Sequence, residues 1–186
     1  MARVIGSRRY TVAALVIAFA VCAVDAASKA LAVADLAPHR SVTLLGGLIT
    51  LHLYRNPGAA FGIGPSYTVI YALIEAAVLA AILRLSRRLR SWPWAIALGL
   101  LLGGAAGNLT DRLFRSPGPL RGFVIDWVKL PYFPPTFNLA DSAITIGAAV
   151  IVLASVRGWR LDGDNPRPDP AIQQAAQGRD TPPLNP

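Results

Sequence analysis

Charge and cysteine are what this chain has least of. Asp, Glu, Lys and Arg make up 15% of its 186 residues, against about 25% in an ordinary globular domain, too few to clothe a soluble surface. One cysteine, Cys22, excludes an internal disulfide framework and a multi-cysteine metal centre. The two histidines, His39 and His52, lie outside the long apolar runs, which leaves no HExxH zinc pair. GxSxG is missing too, and with it the nucleophile elbow of a serine hydrolase. Eighteen basic residues against ten acidic give a formal charge of +8. That excess is spread between apolar runs and forms no face that could neutralise phosphates, so nucleic acid is not the partner. What is abundant is apolar sequence: 54% hydrophobic residues and a mean hydropathy of +0.47. The composition is that of a small, single-domain integral membrane protein with no metal or cofactor evident.

A spanning helix needs about 20 mainly apolar residues. Four segments qualify: Tyr10–Val33, Tyr67–Leu83, Trp92–Leu109 and Ala140–Val156. Basic residues of short loops stay on the cytoplasmic side. Arg84, Arg87, Arg88 and Arg90 separate the second and third spans, Arg3, Arg8 and Arg9 precede the first, and Arg157, Arg160, Arg167 and Arg179 follow the last. That side holds eleven basic residues and the other six, so both termini are expected in the cytoplasm. The fold class predicted is membrane all-α, four helices, with a small extracytoplasmic β-ribbon between the first two. The ribbon is read over Ser41–Leu53, where two short β-prone runs flank Gly46-Gly47, a pair suited to a tight turn. A secretory leader is the competing reading of the first span; Ala-rich apolar sequence running on past Asp25, with three further spans, weighs against it. Val21 stands where a lipid-attachment cysteine at Cys22 would need a small residue. Residues 1–158 form the expected transmembrane domain, and 159–186, rich in proline, an expected disordered cytoplasmic tail.

An ionisable group inside a membrane costs about 2.5–3.5 kcal/mol on insertion scales, which makes it a functional-site candidate. Asp25, Ser28 and Lys29 fall on one face of the first helix, and Asn108, Asp111 and Arg112 repeat that spacing at the end of the third. Asn138 and Asp141 open the fourth helix, and Asp126 precedes it in a loop rich in Pro, Gly and aromatics. With the topology above, these groups share one depth, near the extracytoplasmic leaflet. Asp25 and Lys29, acid before base at i, i+4, read best as a structural ion pair. Asp111 and Arg112 are adjacent, point apart, and need partners elsewhere. Asn108 could serve as an interhelical hydrogen bond or a substrate contact. Gly99, Gly103 and Gly107 read as close helix packing. Glu75 stands alone in the second helix and is left outside the site.

Asp141 has no cation within a helical turn, and the nearest to Asp126 is Lys129, in a loop. Two such carboxylates close together in a low-dielectric place would share one proton, as aspartic-protease dyads do. The ionised member takes a proton from water, the water attacks a peptide carbonyl, and the protonated member hydrogen-bonds that carbonyl.

The blocks Asp25-Ala-Ala-Ser28-Lys29, Asn56-Pro-Gly58-Ala-Ala-Phe61-Gly62, Gly107-Asn108-Leu-Thr-Asp111-Arg112, Val124-Ile-Asp126-Trp127 and Phe137-Asn138-Leu-Ala-Asp141-Ser142 resemble, in this order, bacterial lipoprotein signal peptidase (signal peptidase II). The resemblance implies an aspartyl endopeptidase that cuts signal peptides from diacylglyceryl-modified prolipoproteins just before the lipid-bearing cysteine. It puts the catalytic dyad on Asp126 and Asp141. It assigns substrate binding or orientation to Asn56, Asn108, Arg112 and Asn138, and site-holding roles to Asp25, Lys29 and Asp111. It implies no cofactor or metal, prolipoprotein and membrane lipids as partners, and a monomer. Trp127 departs from the phenylalanine usual in that family after the first catalytic aspartate. A transporter is the alternative from another class, disfavoured because the carboxylates crowd one leaflet and no inverted repeat is visible. A purely structural membrane subunit would tolerate amides at the dyad.

Overall fold

The structure is a computed structural model, and it describes residues 2–36, 40–58 and 67–163. Four helices carry it: α1 (Ala2–Asp35), α2 (Thr68–Ser86), α3 (Trp92–Phe114) and α4 (Leu139–Val156). Each is long and apolar enough to cross a bilayer. The helices outrun the expected spans at several ends because their polar termini, including Asp111 and Arg112 of α3, are still helical. Asn138 starts α4 with a capping box: its side chain accepts the Asp141 N–H, and the Asp141 carboxylate accepts the Asn138 N–H, satisfying two amides that a helix start leaves without partners.

Helix α3 is the inner helix, packed against α1, α2 and α4. Residues such as Val16 and Phe19 of α1, Ile74 of α2 and Val152 of α4 are exposed, the lipid-facing surface such a bundle presents. Lipid tails are as apolar as leucine, so helices associate where small residues let backbones approach. A Cβ on Gly103 would stand 2.6 Å from the Ala18 carbonyl, one on Gly99 2.8 Å from that of Ala14, and one on Gly104 2.5 Å from that of Ala140. The glycine stripe gives the close helix packing that its spacing predicted, with α1 as the partner, and Gly104 extends the device to α4.

Between the helices lies a four-stranded antiparallel sheet in the order β1 (Ser41–Leu44), β2 (Ile49–Asn56), β3 (Val124–Leu130), β4 (Phe133–Phe137). The expected hairpin is there, turning through Leu45–Gly47 with Gly46 at φ +65° and Gly47 at φ +103°, values glycine adopts without strain. It is not alone, however. The segment read as an irregular loop before α4 forms a second hairpin, and Asp126 sits on β3. Pro134 and Pro135 hid β4 from the sequence reading; they are tolerated because it is an edge strand. The packed chain also runs past residue 158. Trp94 Nε1 donates to the Trp159 carbonyl at 2.7 Å and the Arg90 N–H to that of Leu161 at 2.9 Å, so Trp159–Gly163 rest on the α2–α3 connection. The remaining expected tail lies outside the described residues, as do His39 and most of the Asn56–Gly62 block.

Candidate active site

Pairing of β2 with β3 sets Tyr54 opposite Asp126 and Asn56 opposite Val124. Residues two apart share a sheet face, so Asn56 lies diagonal to Asp126 and donates Nδ2–H to Asp126 Oδ2 at 2.9 Å. Asn138 Nδ2 donates to Asp126 Oδ1 at 2.7 Å. On α4, Asp141 Oδ1 accepts from Asn108 Nδ2 at 2.9 Å and Oδ2 accepts the Asn138 backbone N–H at 3.1 Å. Each aspartate thus takes one donor per oxygen.

The way each asparagine faces is fixed by a partner that can only donate. Gly58 N–H donates to Asn56 Oδ1 at 2.9 Å, Lys29 Nζ to Asn108 Oδ1 at 2.9 Å, and Asp141 N–H to Asn138 Oδ1 at 3.0 Å. With the oxygens committed, all three amide nitrogens turn toward carboxylates. Asn138 touches both aspartates and also donates to Asn108 Oδ1 at 3.2 Å, linking β3, α3 and α4.

Beneath this layer, Lys29 is fully buried. Its Nζ lies 2.7 Å from Asp25 Oδ2 and 3.0 Å from Asp111 Oδ2, the ion pair expected along α1 plus a second across to α3. Each of these carboxylates also holds a backbone N–H: Asp25 Oδ1 that of Ala140 at 2.9 Å, and Asp111 Oδ2 that of Ile125 at 3.1 Å. Ala140 and Ile125 immediately precede Asp141 and Asp126. One buried cation and two carboxylates therefore set the backbone on which Asp126 and Asp141 sit, and Arg115 completes Asp111 from the next turn. Ser28, by contrast, donates to the Asp25 carbonyl of its own helix.

Asp126 is buried and outside the spanning helices. Burial first, then the nearby Asp141 charge, pushes its pKa up to about 7, against the pull of the Asn56 and Asn138 donors and of Lys29. The two aspartates line a cleft of about 390 Å³ with Asn56, Asn108, Arg112 and Phe137. Trp127, adjacent to Asp126 and so on the other face of β3, is not among the residues lining it.

Glu75 is the residue that the sequence misjudged. It is not without a partner: Arg112 Nε donates to its Oε1 at 3.1 Å, and it lines the same cleft. The partner is 37 positions away on another helix, beyond the reach of helical periodicity. Arg112 also donates Nη2–H to the Gly58 carbonyl at 2.9 Å and rests on the Tyr71 ring.

The chain is similar to known proteins over most of its length. Residues 17–157 match the family described as signal peptidase (SPase) II. The chain is 50% identical over 158 residues to the lipoprotein signal peptidase of Streptomyces coelicolor, covering 85% of this chain and 76% of that protein. It is 46% identical over 148 residues to that of Rhodococcus jostii, covering 80% and 74%. A bacterial membrane enzyme solved by the in meso method at 2.3 Å superposes with a TM-score of 0.71 at 26% identity, covering 84% of this chain and 92% of its own. A second, at 1.9 Å, gives 0.67 at 28% identity, covering 77% and 92%. With four spanning helices and a match over most of its length, the chain belongs to the signal peptidase II family, membrane proteases of the bacterial inner membrane that remove signal peptides from prolipoproteins.

Proposed function

We propose that the protein cleaves diacylglyceryl-modified prolipoproteins just before the lipid-bearing cysteine, with Asp126 and Asp141 as the catalytic dyad near the outer leaflet of the cytoplasmic membrane. The observation that carries this reading is the pair itself: two carboxylates on one cleft, both bound by Asn138, one of them raised to a pKa of about 7. At neutral pH such a pair holds a single proton. The ionised carboxylate takes a proton from water as the water oxygen bonds to the scissile carbonyl carbon. The protonated one hydrogen-bonds the carbonyl oxygen, and a proton then passes to the leaving amine as the C–N bond breaks. Asn56, Asn108 and Asn138 hold the dyad, Arg112 meets substrate backbone, and Asp25, Lys29 and Asp111 fix the two backbone segments. A cleft bounded by apolar side chains at the end of a lipid-facing bundle suits a substrate whose acyl chains stay in the bilayer.

The test is conversion of a diacylglyceryl prolipoprotein by the purified protein in detergent, with the unlipidated precursor alongside. The wild type is expected to cut the lipidated form alone. Asp126→Asn and Asp141→Asn each lose about a thousandfold or more of the turnover, in the range attributed to general acid–base groups. Wild-type turnover in both variants would exclude the aspartyl mechanism.

A further inference from the structure

The cleft holds an unsatisfied pair of opposite polarity. Arg112 has three hydrogen-bonding nitrogens; Nε is spent on Glu75 and Nη2 on Gly58. Its Nη1 is buried and, among the described residues, has no partner. Glu75 uses Oε1 on Arg112, and its Oε2 is likewise buried and without one. Arg112 and Glu75, held together by their own ion pair, thus line the cleft beside Asp126 and Asp141 with one buried donor and one buried acceptor left over. Buried polar groups left unpaired cost free energy, about 1–3 kcal/mol each, so an occupant that pairs both is favoured. One residue of an extended peptide does so, its N–H and C=O pointing to the same side: its carbonyl takes Arg112 Nη1–H and its N–H goes to Glu75 Oε2. The acyl esters of a diacylglyceryl group bring acceptors alone and leave Glu75 unpaired.

We infer that Glu75 and Arg112 form a two-point subsite for the backbone N–H and C=O of one extended substrate residue, with Glu75 accepting the N–H. Arg112 lies one helical turn beyond Asn108, which binds Asp141, and one turn of helix rises about 5.4 Å. An extended chain covers about 3.3–3.6 Å per residue, so the residue bound is within two or three residues of the scissile bond. Glu75 is thereby a substrate-binding residue whose removal weakens binding rather than the chemical step.

This rests on the cleavage proposed above, and the test separates the two. A lipidated precursor peptide is made as a series in which each amide near the cleavage site in turn becomes an ester, which removes one N–H. With the wild type, one position is expected to raise KM about tenfold, the size of a lost hydrogen bond to a charged group, with kcat little changed. In Glu75→Gln the side-chain oxygen keeps the Arg112 bond and an NH2 replaces Oε2, so donor faces donor. The amide substrate then shows the raised KM, and the ester at that one position, which offers an acceptor, recovers it. Recovery also shows that the variant is folded. If the wild type tolerates every ester equally, or if Glu75→Gln leaves KM unchanged for the whole series, the subsite is excluded while cleavage stands. If the wild type does not cut the all-amide peptide, the cleavage reading itself fails.

Discussion

Asp25 Oδ1 accepts the N–H of Ala140 at 2.9 Å, reaching from the first helix to the residue before Asp141. Asp111 does the same for Ile125, the residue before Asp126, and Lys29 is ion-paired with both acids. The charges least expected in a membrane span therefore position the proposed dyad without touching it.

Removing that cation leaves Asp25 buried without a counter-charge and Asp111 with Arg115 alone. Breaking a buried pair in this way costs about 3–5 kcal/mol, so Lys29→Met is expected to lower the unfolding midpoint in detergent sharply. Adding Asp25→Asn to it should recover part of the loss, since Asp111 keeps Arg115 as its counter-charge. An unfolding midpoint unchanged in Lys29→Met would refute the arrangement.

The raised pKa of Asp126 has a definite sign. Folded, the carboxyl keeps its proton to about pH 7; unfolded, it loses it near 3.8. Between those values the folded chain binds more protons than the unfolded one, so this group makes stability fall as pH rises. Asp126→Asn cannot ionise, and its unfolding midpoint should gain on that of the wild type between pH 4 and 7. Cleavage should fall off above about pH 7 for the same reason, as the pair loses its shared proton.

Asn108 passes the orientation set by Lys29 on to Asp141. Asn108→Leu removes the donor that holds Asp141 Oδ1. Turnover should fall about a hundredfold, the scale of a slightly misplaced catalytic group, as read by steady-state kinetics.

At Gly103 there is no room for a side chain, a Cβ standing 2.6 Å from the Ala18 carbonyl. Gly103→Val forces α1 and α3 apart, and overpacking of this kind costs about 1–3 kcal/mol. A lowered unfolding midpoint with reduced turnover is expected, because α1 and α3 both carry residues that hold the dyad.

Proposed topology has a direct check. Tyr132, almost fully exposed at the β3–β4 turn, and Arg87, exposed at the end of α2, are replaced singly by cysteine in a Cys22→Ala background. In intact cells with a permeable outer envelope, a membrane-impermeant maleimide should label Tyr132→Cys and spare Arg87→Cys. The opposite pattern would invert the protein in the membrane.

The sequence alone determined the four spans, the glycine stripe and the identity of the acids. Each is a local property: apolar length, a repeat of four, and a charge too costly to leave in an apolar run without a role. The ribbon was legible for the same reason, since a hairpin is written in neighbouring residues. Tertiary structure decided the rest. Asn56 meets Asp126 across 70 positions, through a β2–β3 pairing that no periodicity announces, and β4 was masked by its prolines. Which way each asparagine faces depends on donors from other elements. Glu75 looked idle because its arginine lies on another helix, and the bundle spends its few charges on partners that only packing brings within reach.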